Sequence, residues 1–322
     1  MSNILITSAG RRVSLVRAFK KELIKCIPKG KVYITDLAPN LSAAAQVADH
    51  AFATPLVNSK DYIDILLDIC LKHNINLIVP TIDDDLLILS KYKSLFSEKR
   101  INVIVSDEEF VNVCSHKVKT HQLFKSLNID VAKLYKKDNY KIPLYIKPIN
   151  GSSSVNNFTI TTNDQISKHH LETDSLQFFE YLDHDIYDEY TCDLYYDRKG
   201  HLKCGVPRLR IEIRAGEVSK SVTKNQAVKN FIDNHLSKLE GASGCITVQL
   251  FYDSHNNIFK GIEINPRFGG GFPLSYLAGA NYPKWIIQEY IFNKEMKYYD
   301  GWKSNLLMLR YDDEILVHEF DE

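Results

Sequence analysis

The hydrophobic pattern of this chain changes period once, near residue 107, and that change limits the folds open to it. Before it, short apolar stretches at 3–7, 31–35, 77–79 and 103–105 read as buried strands. They alternate with 13–26, 62–73 and 86–92, where apolar residues recur at helical spacing. Strand–helix alternation at this pitch predicts an α/β domain with a small parallel sheet and helices on both faces. After the change, 111–127 predicts one long helix. From there the strands are separated by turns: 144–147, 159–161, 177–181, 190–196, 206–213, 246–252 and 258–265, with helices at 228–239 and 282–292. That half is α+β with mainly antiparallel pairing. The expected domains are 1–106 and 107–322.

Lys plus Arg equals Asp plus Glu, 40 each, so no global field favours nucleic acid or an anionic membrane. No apolar run approaches the roughly 18 residues that span a bilayer. The six cysteines include no C-x-x-C pair and no Cys/His spacing of a zinc site, and read as separate reduced thiols. The N-terminus is unlike a signal peptide, so a cytoplasmic location is expected.

Several segments could carry chemistry. Glu263 and Asn265 lie two apart on one strand and share a face. A hairpin through 253–257 would set Gln249 across from Glu263, giving oxygen ligands to a hard cation such as Mg²⁺. Arg267 continues that face, and Gly269, Gly270 and Gly271 let backbone approach a ligand closely. Lys147 leaves a buried strand and is followed by Gly151, Ser152, Ser153 and Ser154, a mobile cover for phosphate. Glu180 sits between aromatics at a strand edge, and Glu189 opens the next strand. Arg208, Arg210 and Arg214 share parity and project to one face if the register holds. They read either as an anion site or as edge-strand charges. Arg11 and Arg12 lie where backbone amides at a helix start attract anions. Asp36 stands where a dinucleotide fold keeps its ribose-binding acid, but G-x-G-x-x-G is absent.

Taken in order, these segments resemble the ATP-grasp superfamily, and within it the carbamoyl-phosphate synthase large chain. EINPRFGGG (263–271) is the most specific string. The resemblance covers most of the chain. It implies a preATP-grasp domain over 1–106, then an ATP-grasp domain whose two subdomains bind ATP between them. It implies Lys117 and Lys147 on the nucleotide phosphates, with the 151–154 loop over them. Glu180, Tyr181 and Leu182 would form the adenine hinge, and Glu189 would meet the ribose. Gln249, Glu263 and Asn265 would hold Mg²⁺, with Mn²⁺ as a substitute. Arg267 is the candidate for an acyl phosphate, and Arg210 and Arg214 for the carboxylate substrate or polyphosphate. One ATP-grasp unit is present where the synthase has two, so a stand-alone carboxylate–amine ligase acting on small molecules is the implied activity; such ligases are commonly homodimers. A non-catalytic nucleotide-binding regulator and an NAD-dependent oxidoreductase share parts of this pattern. The first would lack the metal set and the second would need the missing glycines.

Overall fold

A computed structural model of the chain describes residues 2–149, 156–214, 216–224 and 226–318. The first part is a five-stranded parallel sheet, β1 (Asn3–Thr7), β2 (Val32–Asp36), β3 (His50–Ala53), β4 (Ile75–Pro80) and β5 (Asn102–Val103), in the order β3-β2-β1-β4-β5. Every residue of β1 is buried because both faces are covered. Helices α1 (Val13–Cys26), α2 (Ala43–Val47), α3 (Tyr62–Lys72), α4 (Asp83–Lys91) and α5 (Lys93–Glu98) supply that cover. Strand β3 escaped the periodicity reading, since its four residues are only half-buried to exposed.

The predicted long helix is two: α6 (Glu108–Cys114) and α7 (Lys117–Ser126). The break falls at Ser115 and His116. The His116 side chain caps α7 by accepting from the Lys119 amide at 3.4 Å, and the Lys117 amide donates instead to the Ile149 carbonyl at 2.9 Å. The interruption puts Lys117 on the first turn of a new helix, beside the strand that carries Lys147.

Strand β6 (Asp130–Val131) follows, then a small antiparallel sheet: β7 (Leu134–Tyr135), β8 (Leu144–Pro148), β9 (Phe158–Ile160), helix α8 (Lys168–Glu172) and β10 (Leu176–Glu180), ordered β7-β10-β8-β9. The larger sheet contains β11 (Asp188–Tyr196), β12 (Leu202–Arg214), β13 (Glu217–Thr223), β14 (Gly244–Asp253), β15 (Ile258–Asn265) and β16 (Leu307–Leu309), with α9 (Gln226–His235) on one face. Its order is β16-β13-β12-β11-β14-β15-β6, antiparallel except for β6. Strands β13 and β16 carry too little apolar alternation to have been read from sequence. Helices α10 (Phe272–Leu277) and α11 (Tyr282–Ile286) return to the first domain, and α11 runs on as a π-helical turn over Ile287–Ile291. No helix among the described residues is long and apolar enough to cross a membrane.

One core joins the two halves. Val16, Phe19 and Leu23 of α1 share a buried cluster with Phe268, Phe272, Tyr282 and Trp285, and Phe19 meets Phe268 edge to face at 5.9 Å. Beneath this cluster the fully buried Arg208 pairs with Asp193 on the neighbouring strand, at 2.7 and 3.1 Å. Ser275 Oγ donates to the same carboxylate at 2.5 Å, and Tyr282 OH donates to the Asp193 carbonyl at 2.7 Å. A buried charge left without its partner is costly. Asp193→Ala is therefore expected to lower stability by about 3–5 kcal/mol, read from the urea midpoint, whereas Ser275→Ala loses only a hydrogen bond, about 1 kcal/mol.

Candidate functional site

A cavity of about 510 Å³ lies between the small sheet and the face of the large one, within the size range of ligand pockets. The hairpin β14–β15 sets Gln249 directly opposite Glu263, with Asn265 two residues further on the same face. The three side chains touch. Gln249 Nε2 donates to Glu263 Oε1 at 2.9 Å, and Asn265 Nδ2 donates to the same oxygen at 2.8 Å. The other carboxylate oxygen accepts from Lys117 Nζ at 2.7 Å. Burial pushes the Glu263 carboxyl up, but Lys117, Asn265 and Lys147 outweigh it and hold it down at about 2. Glu263 is therefore ionised at any ordinary pH.

This donor set fits Mg²⁺. Among the described residues no group of three or more His, Cys, Asp and Glu side chains could hold a metal, so the protein offers no all-carboxylate cage. It offers one carboxylate and two carboxamides, whose oxygens face a cation when the amides turn over. Mg²⁺ characteristically takes one or two carboxylates and fills its remaining positions with phosphate oxygens and water.

Lys147 reaches the cavity from β8, its ammonium 4.6 Å from the centre of the Phe179 ring. Burial lowers its pKa and the Lys117 charge lowers it further, to about 8, against the pull of Glu263. The same surroundings hold His121, packed on Phe179, neutral: burial and then Lys147 push it down to about 3. Gly151, Ser152, Ser153 and Ser154 lie outside the described residues.

At the end of β10, an interior strand of the small sheet, Glu180, Tyr181 and Leu182 line the cavity. The Glu180 carboxylate, however, accepts from Lys260 Nζ at 2.8 Å and from the Lys133 amide at 3.1 Å, and its own amide donates to the Lys133 carbonyl at 2.8 Å. Its side chain is thus tied back to the protein, which leaves Tyr181 and Leu182 as the members of this segment free to meet a ligand. Glu189 and Arg210, read separately from sequence, form an ion pair across β11 and β12. Burial raises the Glu189 pKa while Arg210 opposes the rise. Arg210 also reaches Gln249 Oε1 at 3.5 Å.

Arg214 does not join the site. The β12–β13 register shifts twice, around Arg210, Glu212 and Ile213, which breaks the parity that linked Arg214 to Arg208 and Arg210. Ile213 faces the cavity instead, and Arg214 pairs with Asp312 at 2.6 Å on the exposed side. Arg208 does reach the cavity wall, but as the buried partner of Asp193. The glycine triplet has a packing role: a Cβ on Gly271 would collide with the Arg208 guanidinium, and one on Gly270 would lie 2.8 Å from the Glu217 carboxylate carbon.

Sequence reasoning missed Asp83, which follows β4 and grips Arg267 bidentately, Oδ1 to Nε and Oδ2 to Nη2, both at 2.8 Å. The run of three acids, 83–85, was the available signal. Arg12 also lines the cavity. Asp36 accepts from the Gly10 amide at 3.1 Å and the Ala38 amide at 3.3 Å, so it ties the β1–α1 turn to its own loop.

A parallel-sheet domain followed by two α+β parts around a cation-lined cavity is the ATP-grasp architecture. Two family models match the chain: a PylC-like N-terminal domain over residues 4–104, and an ATP-grasp domain in the biosynthetic pathway with Ter operon over residues 173–308. The second match identifies an ATP-grasp domain over residues 173–308, behind a PylC-like N-terminal domain. Its fold is similar to that of a biotin carboxylase from Campylobacter jejuni, solved with β-γ-ATP (TM-score 0.73, 14% identity, 95% of this chain and 74% of that one). It is similar also to an N5-carboxyaminoimidazole synthetase from Staphylococcus aureus, solved with ADP (TM-score 0.68, 17% identity, 88% and 76%). An L-amino acid ligase from Bacillus licheniformis is a third such structure (TM-score 0.67, 15% identity, 90% and 74%). No curated protein matches the chain by sequence.

The Lys147 pKa of about 8 has a measurable sign. A phosphate partner raises it, so ADP binding at pH 8–10 should take up protons, visible by calorimetry in buffers of different ionisation enthalpy. Lys147→Ala should abolish the uptake and weaken ADP binding. Because the unfolded lysine titrates near 10.4, the folded chain binds fewer protons between the two values. Burying the Lys147 charge thus destabilises the free protein fully below pH 8, and that penalty fades toward pH 10.

Proposed function

We propose that the protein is an ATP- and Mg²⁺-dependent ligase that activates a carboxylate as an acyl phosphate and passes the acyl group to an amine. The observation that carries this reading is the convergence, in one cavity, of the Gln249–Glu263–Asn265 set with Lys117, Lys147 and the Asp83-clamped Arg267. The likeness in fold to ligases and carboxylases solved with β-γ-ATP, with ADP, and with MgADP and bicarbonate supports it.

In this reading Tyr181 and Leu182 pack on the adenine, while the Glu189–Arg210 pair faces the ribose. Lys147 and Lys117 bind the phosphates, and Lys117 moves its contact from Glu263 toward the nucleotide. Glu263, Gln249 and Asn265 hold Mg²⁺, which when bound neutralises phosphate charge. Arg267, kept in one orientation by Asp83, meets the transferred phosphoryl group. The bond from the γ-phosphorus to ADP breaks as one forms to a carboxylate oxygen. The amine then adds to the acyl carbon, loses a proton, and inorganic phosphate leaves. Positioning and fixed charge do most of the work. Neither competing class has support of this kind: Asp36 is engaged by the Gly10 and Ala38 amides, and the metal set is intact.

Thermal unfolding with Mg-ADP, with ADP and chelator, and with NAD tests the reading. A hundredfold excess over Kd adds about 2.7 kcal/mol of stability. The expected pattern is a rise with ADP, larger with Mg²⁺ and reduced in Glu263→Ala, together with loss of ADP release by that variant in a carboxylate and amine screen. A rise with NAD alone, or near-normal ADP release by Glu263→Ala, would overturn it.

A further inference from the structure

Four of the six cations on the cavity wall are already neutralised. Lys117 pairs with Glu263, Arg208 with Asp193, Arg210 with Glu189 and Arg267 with Asp83. Two remain. Among the described residues, no carboxylate lies within ion-pair distance of Lys147 or Arg12. Lys147 stands over Phe179 beside Lys117, at the nucleotide-phosphate end. Arg12 belongs to the opposite domain and faces the Arg267 end.

The Arg12 backbone is fixed. Its amide donates to the Ala9 carbonyl at 2.8 Å, and its carbonyl accepts the first bonds of α1, from Leu15 at 3.0 Å and Val16 at 3.1 Å. It follows β1, and Asp83 follows β4, so both stand at the switch point of the parallel sheet, where such folds bind ligands. The two acids nearest its charge are engaged elsewhere: Glu217 with Arg310 at 2.8 Å and Arg11 at 3.5 Å, Asp83 with Arg267. Helix α1 has no acid in its first turn and no side-chain cap. Burial and the neighbouring Arg267 lower the Arg12 pKa to about 10, against the pull of Glu217 and Asp83.

We propose that Arg12 binds the carboxylate that is activated, holding it with Arg267 at the end of the cavity away from the adenine, so that the N-terminal domain supplies part of the carboxylate site. This rests on the ligase reading above and transfers to Arg12 the role that sequence gave to Arg214 and Arg210. A guanidinium offers a carboxylate two parallel N–H donors, a fit that lysine lacks. One unpaired positive charge suits one carboxylate; a second anionic group on that substrate would find no further unpaired cation at this end among the described residues.

The test uses acetate, the simplest carboxylate, titrated in chloride-free buffer and followed by saturation-transfer NMR on the full chain, with and without Mg-ADP. Wild type should bind acetate saturably. Arg12→Gln should weaken acetate at least tenfold while Mg-ADP affinity stays within twofold. Arg12→Lys, which keeps the charge and guards against a folding failure, should weaken it by at least threefold. Lys220→Gln, an exposed partner of Glu212 away from the cavity, should change nothing. Equal acetate affinity in wild type and Arg12→Gln, or no saturable acetate binding in wild type, overturns the assignment. Failure of Mg-ADP to bind wild type would instead count against the nucleotide reading, with the acetate comparison still deciding Arg12.

Discussion

Helix α1 and the segment 268–286 bury their apolar faces in each other, and the site depends on that contact. Phe19, Phe268, Phe272 and Tyr282 form one cluster across the junction of the two halves. Interiors packed this closely transmit displacement and do not absorb it. The ends of β1 and β4 are thereby fixed opposite the end of β15, and the Asp83–Arg267 fork can span the junction with good geometry at both bonds. A hinge at this place would make that fork a transient surface contact; packing makes it a fixture.

Polar pairing organises the cavity on top of this frame. A continuous series runs from Glu189 through Arg210, Gln249 and Glu263 to Lys117, crossing four strands and a helix. Each charge has an opposite charge or an amide beside it, so the charges are held at low solvent exposure, and only Arg210 Nε in the series is buried without a hydrogen-bond partner among the described residues. A series of this kind also presets where an incoming charge will be felt. Cations with partners are held in place by them, and those without partners carry a charge that a ligand can still neutralise.

The sequence exposed the order of elements and the hairpin that joins Gln249 to Glu263, because both follow from local periodicity and a short turn. What stayed hidden depends on events without a local signature. Two register shifts in β12 turned Arg214 away from Arg210, and no alternation of side chains forecasts a bulge. The break at His116 is set by a tertiary bond between the Lys117 amide and the Ile149 carbonyl. The Glu180 side chain was committed by Lys260, eighty residues away. Asp83 and Arg267 are 184 residues apart, and only the parallel sheet's topology brings them together. The glycine triplet was legible as a requirement, but its reason is the space already filled by Arg208 and Glu217.

The small sheet β7-β10-β8-β9 has a core of its own, built on Leu144, Ile146, Ile160, Leu176 and Phe178. Five buried side chains give little independent cohesion, and such a unit opens at a lower free energy than the large sheet beside it. Among its ties to the remainder are the Lys260–Glu180 ion pair and the bond from the Lys117 amide to the Ile149 carbonyl. Lys147 stands on this unit, so a ligand gripped by Lys147 also closes the local opening equilibrium. Ligand affinity is then in part a local folding free energy, and a mutation at Ile146 or Phe178 can change it without touching the ligand.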